Sequence, residues 1–154
     1  MALINEKQGN IENILSKDGV YASVTSGVSM RPLFKTHRDM VILKSAEERP
    51  KKYDVVLYRI GDKYILHRIV RVNEKLGAFI IRGDNTYRKE IVPFDKIIAV
   101  LTAVNRKGKR IEVTDLGYRM YSVFWTAIYP LRYPIGKGRL LLGAIYRKIF
   151  RKNK

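Results

Sequence analysis

Between residues 20 and 114 the chain is a succession of short apolar runs cut by turn residues, and this cadence constrains the fold more than anything else in it. The runs are residues 20–25, 40–43, 54–60, 63–72, 79–81, 96–104 and 110–114. They are short and rich in β-branched and aromatic side chains, which favours strands over helices. Gly61-Asp62 reads as a hairpin turn, residues 47–52 as a charged loop with a proline stop, and Arg106-Lys107-Gly108-Lys109 as a turn. Six or seven strands of this kind predict a mainly β fold, a coiled domain or partial barrel. Ahead of it, Ile11, Ile14 and Leu15 stand at helical spacing and predict a short amphipathic helix ending at Gly19.

Charge divides the chain in two. The formal net charge is +17, and after Asp115 there are nine basic residues and no acidic one. Residues 1–115 are therefore read as the β-domain and residues 116–154 as an apolar, basic helical tail. The chain has no cysteine and two histidines, which leaves no disulfide, no thiol nucleophile and no Cys- or His-rich metal site. No metal or cofactor is expected.

Chemistry centres on Ser26-Gly27-Val28-Ser29-Met30-Arg31-Pro32, a serine-bearing turn that leaves the first run. Gly27 permits a backbone conformation closed to other residues, and Pro32 stiffens the exit. A serine hydroxyl needs a base within hydrogen-bond reach to act as a nucleophile. His67 sits inside an apolar strand, where alternation puts Ile65, His67, Ile69 and Arg71 on one face. His37 falls in a polar basic loop and is read as a surface residue. A carboxylate that orients the imidazole would complete a triad. Asp84, in Gly83-Asp84-Asn85, and Glu90 are both candidates.

Taken together, Ser29-Met30 with Pro32, the strand with His67-Arg68-Ile69-Val70 and then Gly83-Asp84-Asn85 resemble the signal peptidase I family. That family belongs to a superfamily shared with LexA-type self-cleaving repressors. The resemblance covers about residues 20–104. It implies Ser29 as nucleophile and His67 as general base, the position of a lysine in bacterial enzymes and of a histidine in the archaeal and endoplasmic-reticulum branch. It also implies an aspartate at Asp84, and at Glu90 a carboxylate where that branch has an aspartate. Gly27 stands where many signal peptidases have a second serine. The oxyanion is then expected to rest on backbone N–H groups of the turn, with Gly27, Met30 and Pro32 shaping the substrate side.

No leader or N-terminal anchor is read in residues 1–19, and no run reaches the ~18 apolar residues of a spanning helix. The tail instead joins aromatic and leucine residues to Lys and Arg, the composition of an interfacial helix. Trp125, Arg139, Arg147, Lys148 and Arg151 are its candidates for contact with an anionic membrane surface. The expected function is a serine endopeptidase that cleaves an extended leader or precursor peptide, in the cytoplasm or on the cytoplasmic membrane face. The alternative is a non-catalytic or self-cleaving regulatory binding protein on the same fold. A nucleic-acid partner is the weaker reading of the charge, because no DNA-binding helix-turn-helix precedes the β-domain.

Overall fold

Val55-Val56-Leu57-Tyr58 and Tyr64 to Ile69 are buried without a break. Side chains alternate along a strand, so unbroken burial means that both faces are covered. In the computed structural model, which describes residues 3–4 and 10–134, these two segments lie on β4 (Val55–Ile60) and β5 (Lys63–Asn73). The strands before them are β1 (Leu3–Ile4), β2 (Val20–Ser26) and β3 (Asp39–Ser45). After them come β6 (Ala78–Arg82), β7 (Glu90–Pro93), β8 (Ile97–Arg106) and β9 (Lys109–Glu112). A helix α1 (Asn10–Asp18) precedes β2, and α2 (Leu116–Ala127) follows β9.

The fold is mainly β with a short N-terminal helix and a C-terminal helix, as expected. All strands pair antiparallel, in the order β1-β2-β3-β8-β4-β5-β6-β7, with β9 beside β8. The expected partial barrel is an open sheet. Strands β6 and β7 carry the path beyond β5 instead of returning it to β2, and β1 meets β5 at a single residue pair, Leu3 with Ile65.

Local sequence explains the joints. Strands β4 and β5 close on the two-residue loop Gly61-Asp62, with Ile60 opposite Lys63 and Gly61 at φ 56°. Between β8 and β9, Lys107 and Gly108 both take positive φ, 51° and 79°, the requirement of a type I′ turn. Helix α1 ends where Gly19 turns left-handed and its N–H donates to the Leu15 carbonyl at 2.9 Å.

Two cores result, one on each side of β4 and β5. Ile11, Leu15, Tyr21, Met30, Phe34, Val55, Leu57, Tyr64, Leu66 and Tyr118 belong to the first. Val56, Tyr58, Ile65, Ile69, Phe79, Ile81 and Val92 form the second. His67 shares the second face with Ile65 and Ile69, and Arg68 looks into the first.

Candidate active site

The turn after β2 is built to present Ser29. Gly27 takes φ 86°, open to glycine at little cost. Arg31 N–H donates to the Val28 carbonyl at 3.1 Å and Phe34 N–H to the Met30 carbonyl at 3.0 Å. Met30, Leu33 and Phe34 are sunk in the first core and anchor the turn, so the Met30 side chain serves packing. Pro32 is exposed and follows a cis peptide bond.

Ser29 Oγ lies 2.8 Å from His67 Nε2. Both residues are only 2 % exposed. On the other side of the ring, Nδ1 lies 3.2 Å from Glu90 Oε2 and 3.1 Å from the Tyr58 hydroxyl. The Tyr58 hydroxyl itself donates to Glu90. A carboxylate and a hydroxyl already committed as donor can only accept from Nδ1–H. That fixes the tautomer: Nδ1 carries the proton, and Nε2 is left with a lone pair facing the serine hydroxyl. Sheet register produces the cluster. Val56 pairs with His67, and Tyr58 sits two residues further on the same face. Ile69 pairs with Ile81 and Ile81 with Glu90, which brings the first residue of β7 onto that face too.

Burial pulls the His67 pKa below its ordinary value, and the nearby Glu90 carboxylate partly restores it. Burial and the same carboxylate push the Tyr58 hydroxyl up, so it stays a neutral donor.

The two acids left open by the sequence separate. Glu90 reaches the imidazole. Asp84 grips Arg68 through two 2.8 Å bonds, Nε to Oδ1 and a terminal guanidinium nitrogen to Oδ2, and accepts from Tyr121 at 3.0 Å. Arg68 is fully buried and also donates to the Tyr53 carbonyl and to Ser122 Oγ, each at 2.8 Å. Asp84 holds its guanidinium charged against the opposing pull of burial. This pair ties β5, the 83–87 loop and α2 together.

Gly83 precedes that aspartate in contact with the Ser29–His67 pair. A Cβ placed there would stand 2.7 Å from the Ser29 carbonyl oxygen and 2.9 Å from His67 Nε2. Only glycine fits between them without a shift. The next amide but one, Asn85 N–H, donates to the Ser29 carbonyl at 2.7 Å and fixes the turn from the opposite side.

Of the proposed membrane contacts, Trp125 lies on α2. Its indole N–H donates to the Asp84 carbonyl at 3.0 Å, its ring stacks on Tyr121, and the Arg132 guanidinium covers it at 3.6 Å. The exposed apolar residues of the described tail are instead Leu116, Met120, Val123, Phe124 and Leu131. Arg139, Arg147, Lys148 and Arg151 lie outside the described residues. His37 is exposed on the loop that follows the serine turn.

Sequence reasoning missed Tyr58 and Arg68. Tyr58 ends an unbroken apolar run and reads as packing. Arg68 left a signal, since a charged residue inside the run 64–70 that is buried on both faces needs a buried counter-charge. Among the described residues no group of His, Asp or Glu is arranged to hold a metal ion. Compared with known proteins, the chain matches no family model and no curated protein.

Proposed function

We propose that this chain is a serine endopeptidase of the signal-peptidase-like type, with Ser29 as nucleophile and His67 as general base. One observation carries the reading: Ser29 Oγ is 2.8 Å from an imidazole nitrogen whose opposite edge is held by Glu90. Ser29 Oγ attacks the scissile carbonyl carbon as its proton passes to Nε2. The C–N bond then breaks, and the imidazolium returns that proton to the leaving amine. A water molecule, deprotonated by His67, hydrolyses the acyl-enzyme and frees Ser29. Glu90 stabilises the imidazolium, and Tyr58 holds Glu90 in place. Asp84 is a structural partner of Arg68 in this scheme.

The substrate is an extended leader or precursor peptide, recognised by backbone pairing. The enzyme works at an anionic membrane surface on its cytoplasmic side, held there by the basic tail and the apolar face of α2. Among the described residues no helix is long and apolar enough to cross a membrane.

A fluorophosphonate probe tests the chemistry. The expected result is a single adduct on Ser29 that Ser29→Ala and His67→Ala both abolish, while His37→Ala leaves it unchanged. A folded protein that forms no adduct, even when Leu3→Pro and Ile4→Pro break the pairing of β1, overturns the enzymatic reading in favour of a binding protein.

A further inference from the structure

Strand β1 sits in an unusual place. It pairs antiparallel with the end of β2, Leu3 opposite Ser26 and Ile4 opposite Thr25. On its other side Leu3 pairs with Ile65 of β5. The serine turn begins at the end of that β2 edge, and His67 is two residues from Ile65 on β5. Among the described residues no other strand pairs with β2 at residues 25–26 or with this side of β5 at residue 65, and the Thr25 carbonyl accepts from the His37 N–H at 3.2 Å. Strand β3 takes the opposite side of β2, from Val20 to Val24. Strand β4 takes the opposite side of β5, and β6 pairs with β5 only from Arg68 onward. Between residues 25–26 and residue 65 lies a slot one strand wide, flanked by β2 on one side and β5 on the other.

Such a slot fits one kind of occupant, an extended peptide that completes both ladders. Strand β2 ends at Ser26, three residues before Ser29, and Ile65 is two residues before His67. A peptide in this slot therefore runs beside the elements that carry both side chains. The structure shows the slot taken by the chain's own residues 3–4.

We infer that β1 is an internal occupant of the substrate slot, and that a substrate peptide binds by displacing it. The inference rests on the endopeptidase reading for its consequence, which is that the resting protein is held back by its own N-terminal strand. Each backbone hydrogen bond of such a pairing contributes only about 1 kcal/mol net, so a peptide strand that makes as many bonds as β1 or more competes with it. The near-complete burial of Ser29 and His67 agrees with a site that must be opened before a substrate reaches it.

The absence of native cysteine makes a clean test possible. The full chain is made with Ile4→Cys and Thr25→Cys, so that oxidation locks β1 onto β2, with closure of the bridge read by mass. A second full-length protein carries Leu3→Pro and Ile4→Pro, which remove backbone donors and release the strand. Two readouts are taken on each, with folding checked by thermal melting. The first is the rate of fluorophosphonate labelling at Ser29. Expected is at least about tenfold slower labelling in the oxidised lock than after reduction, and faster labelling than the parent in the proline protein. The second needs no chemistry: binding of a fluorescein-labelled peptide with the sequence of residues 1–10, measured by polarisation with Ser29→Ala added. The proline protein should bind it, and the oxidised lock should not. Equal peptide binding by the locked and released proteins overturns the inference. So does a proline protein that melts cooperatively but neither binds peptide nor labels faster. Peptide binding that follows the lock, with no labelling of Ser29 in any form, keeps the slot and removes the hydrolase.

Discussion

Burial holds the His67 imidazole below its ordinary pKa, and that direction fixes how activity must depend on pH. In the proposed mechanism the neutral ring is the base. Activity should therefore rise with pH through an apparent pKa below about 6.5 and be lost as the pH falls through it. Replacing Glu90 by Gln removes the charge that raises the ring's pKa. The acid limb should move lower still while the plateau rate falls, because the imidazolium loses its carboxylate; a kcat/KM profile read on a fluorogenic peptide checks both. A limb that stays in place in Glu90→Gln would remove Glu90 from the site. In that mechanism Ser29 and His67 act as a unit, so each alanine variant should cost at least about 10³-fold in kcat/KM, and the double variant little more. Ser29 and His67 were legible because each is a reactive side chain in an unlikely setting, one on a glycine turn and one inside an apolar strand. Glu90 and Asp84 could not be told apart. What separates them is Arg68, whose buried charge claims Asp84 through a pairing between residues 16 apart.

Strand β7 shows why some elements escape a reading of the chain. It has four residues, begins straight after Arg88-Lys89 and ends at Pro93, so no alternation has room to appear. Strand β1 is described over Leu3–Ile4 alone, too few residues to show a pattern. The long strands announced themselves, and β5 was anticipated to within one residue at its end. Helix α2 was foreseen as part of a tail, yet its inner side completes the β-domain. Tyr121 and Trp125 hold Asp84, Ser122 holds Arg68, and Tyr118 enters the first core. Breaking the pair from one side leaves an uncompensated buried charge, at a cost of about 3–5 kcal/mol. Asp84→Ala should thus lower the melting temperature by roughly 10 °C, and Ser122→Ala, which removes one neutral partner, by far less. A differential scan in which Asp84→Ala melts like the parent would mean that the pair contributes nothing to the fold.

On the scale of the whole molecule, the proposed membrane attachment draws on the +17 charge and on the apolar side chains that α2 exposes among the described residues. Anionic lipid attracts each nearby basic residue by about 1 kcal/mol, and the exposed Met120 and Phe124 supply apolar contact. The protein should sediment with vesicles containing phosphatidylserine, much less with neutral ones, and be released by salt. Deleting the tail from residue 116 would not isolate this effect, because α2 is bonded to Asp84 and Arg68. Met120→Asp with Phe124→Asp is the cleaner variant and should weaken sedimentation while leaving the melting temperature close to the parent's. Binding that survives both high salt and the double substitution would reject interfacial attachment.

Strand β5 lies between two cores, and its residues are sorted by parity. Odd positions 65, 67 and 69 look toward Tyr58 and Glu90, and even positions 64, 66 and 68 toward Asp84 and α2. One inserted residue between Leu66 and His67 would exchange the two sets beyond it, turning the imidazole toward the aspartate and the guanidinium toward the serine. Two inserted residues would restore the order. The site is written in the chain as a count modulo two, kept in phase by the tight loop at Gly61-Asp62.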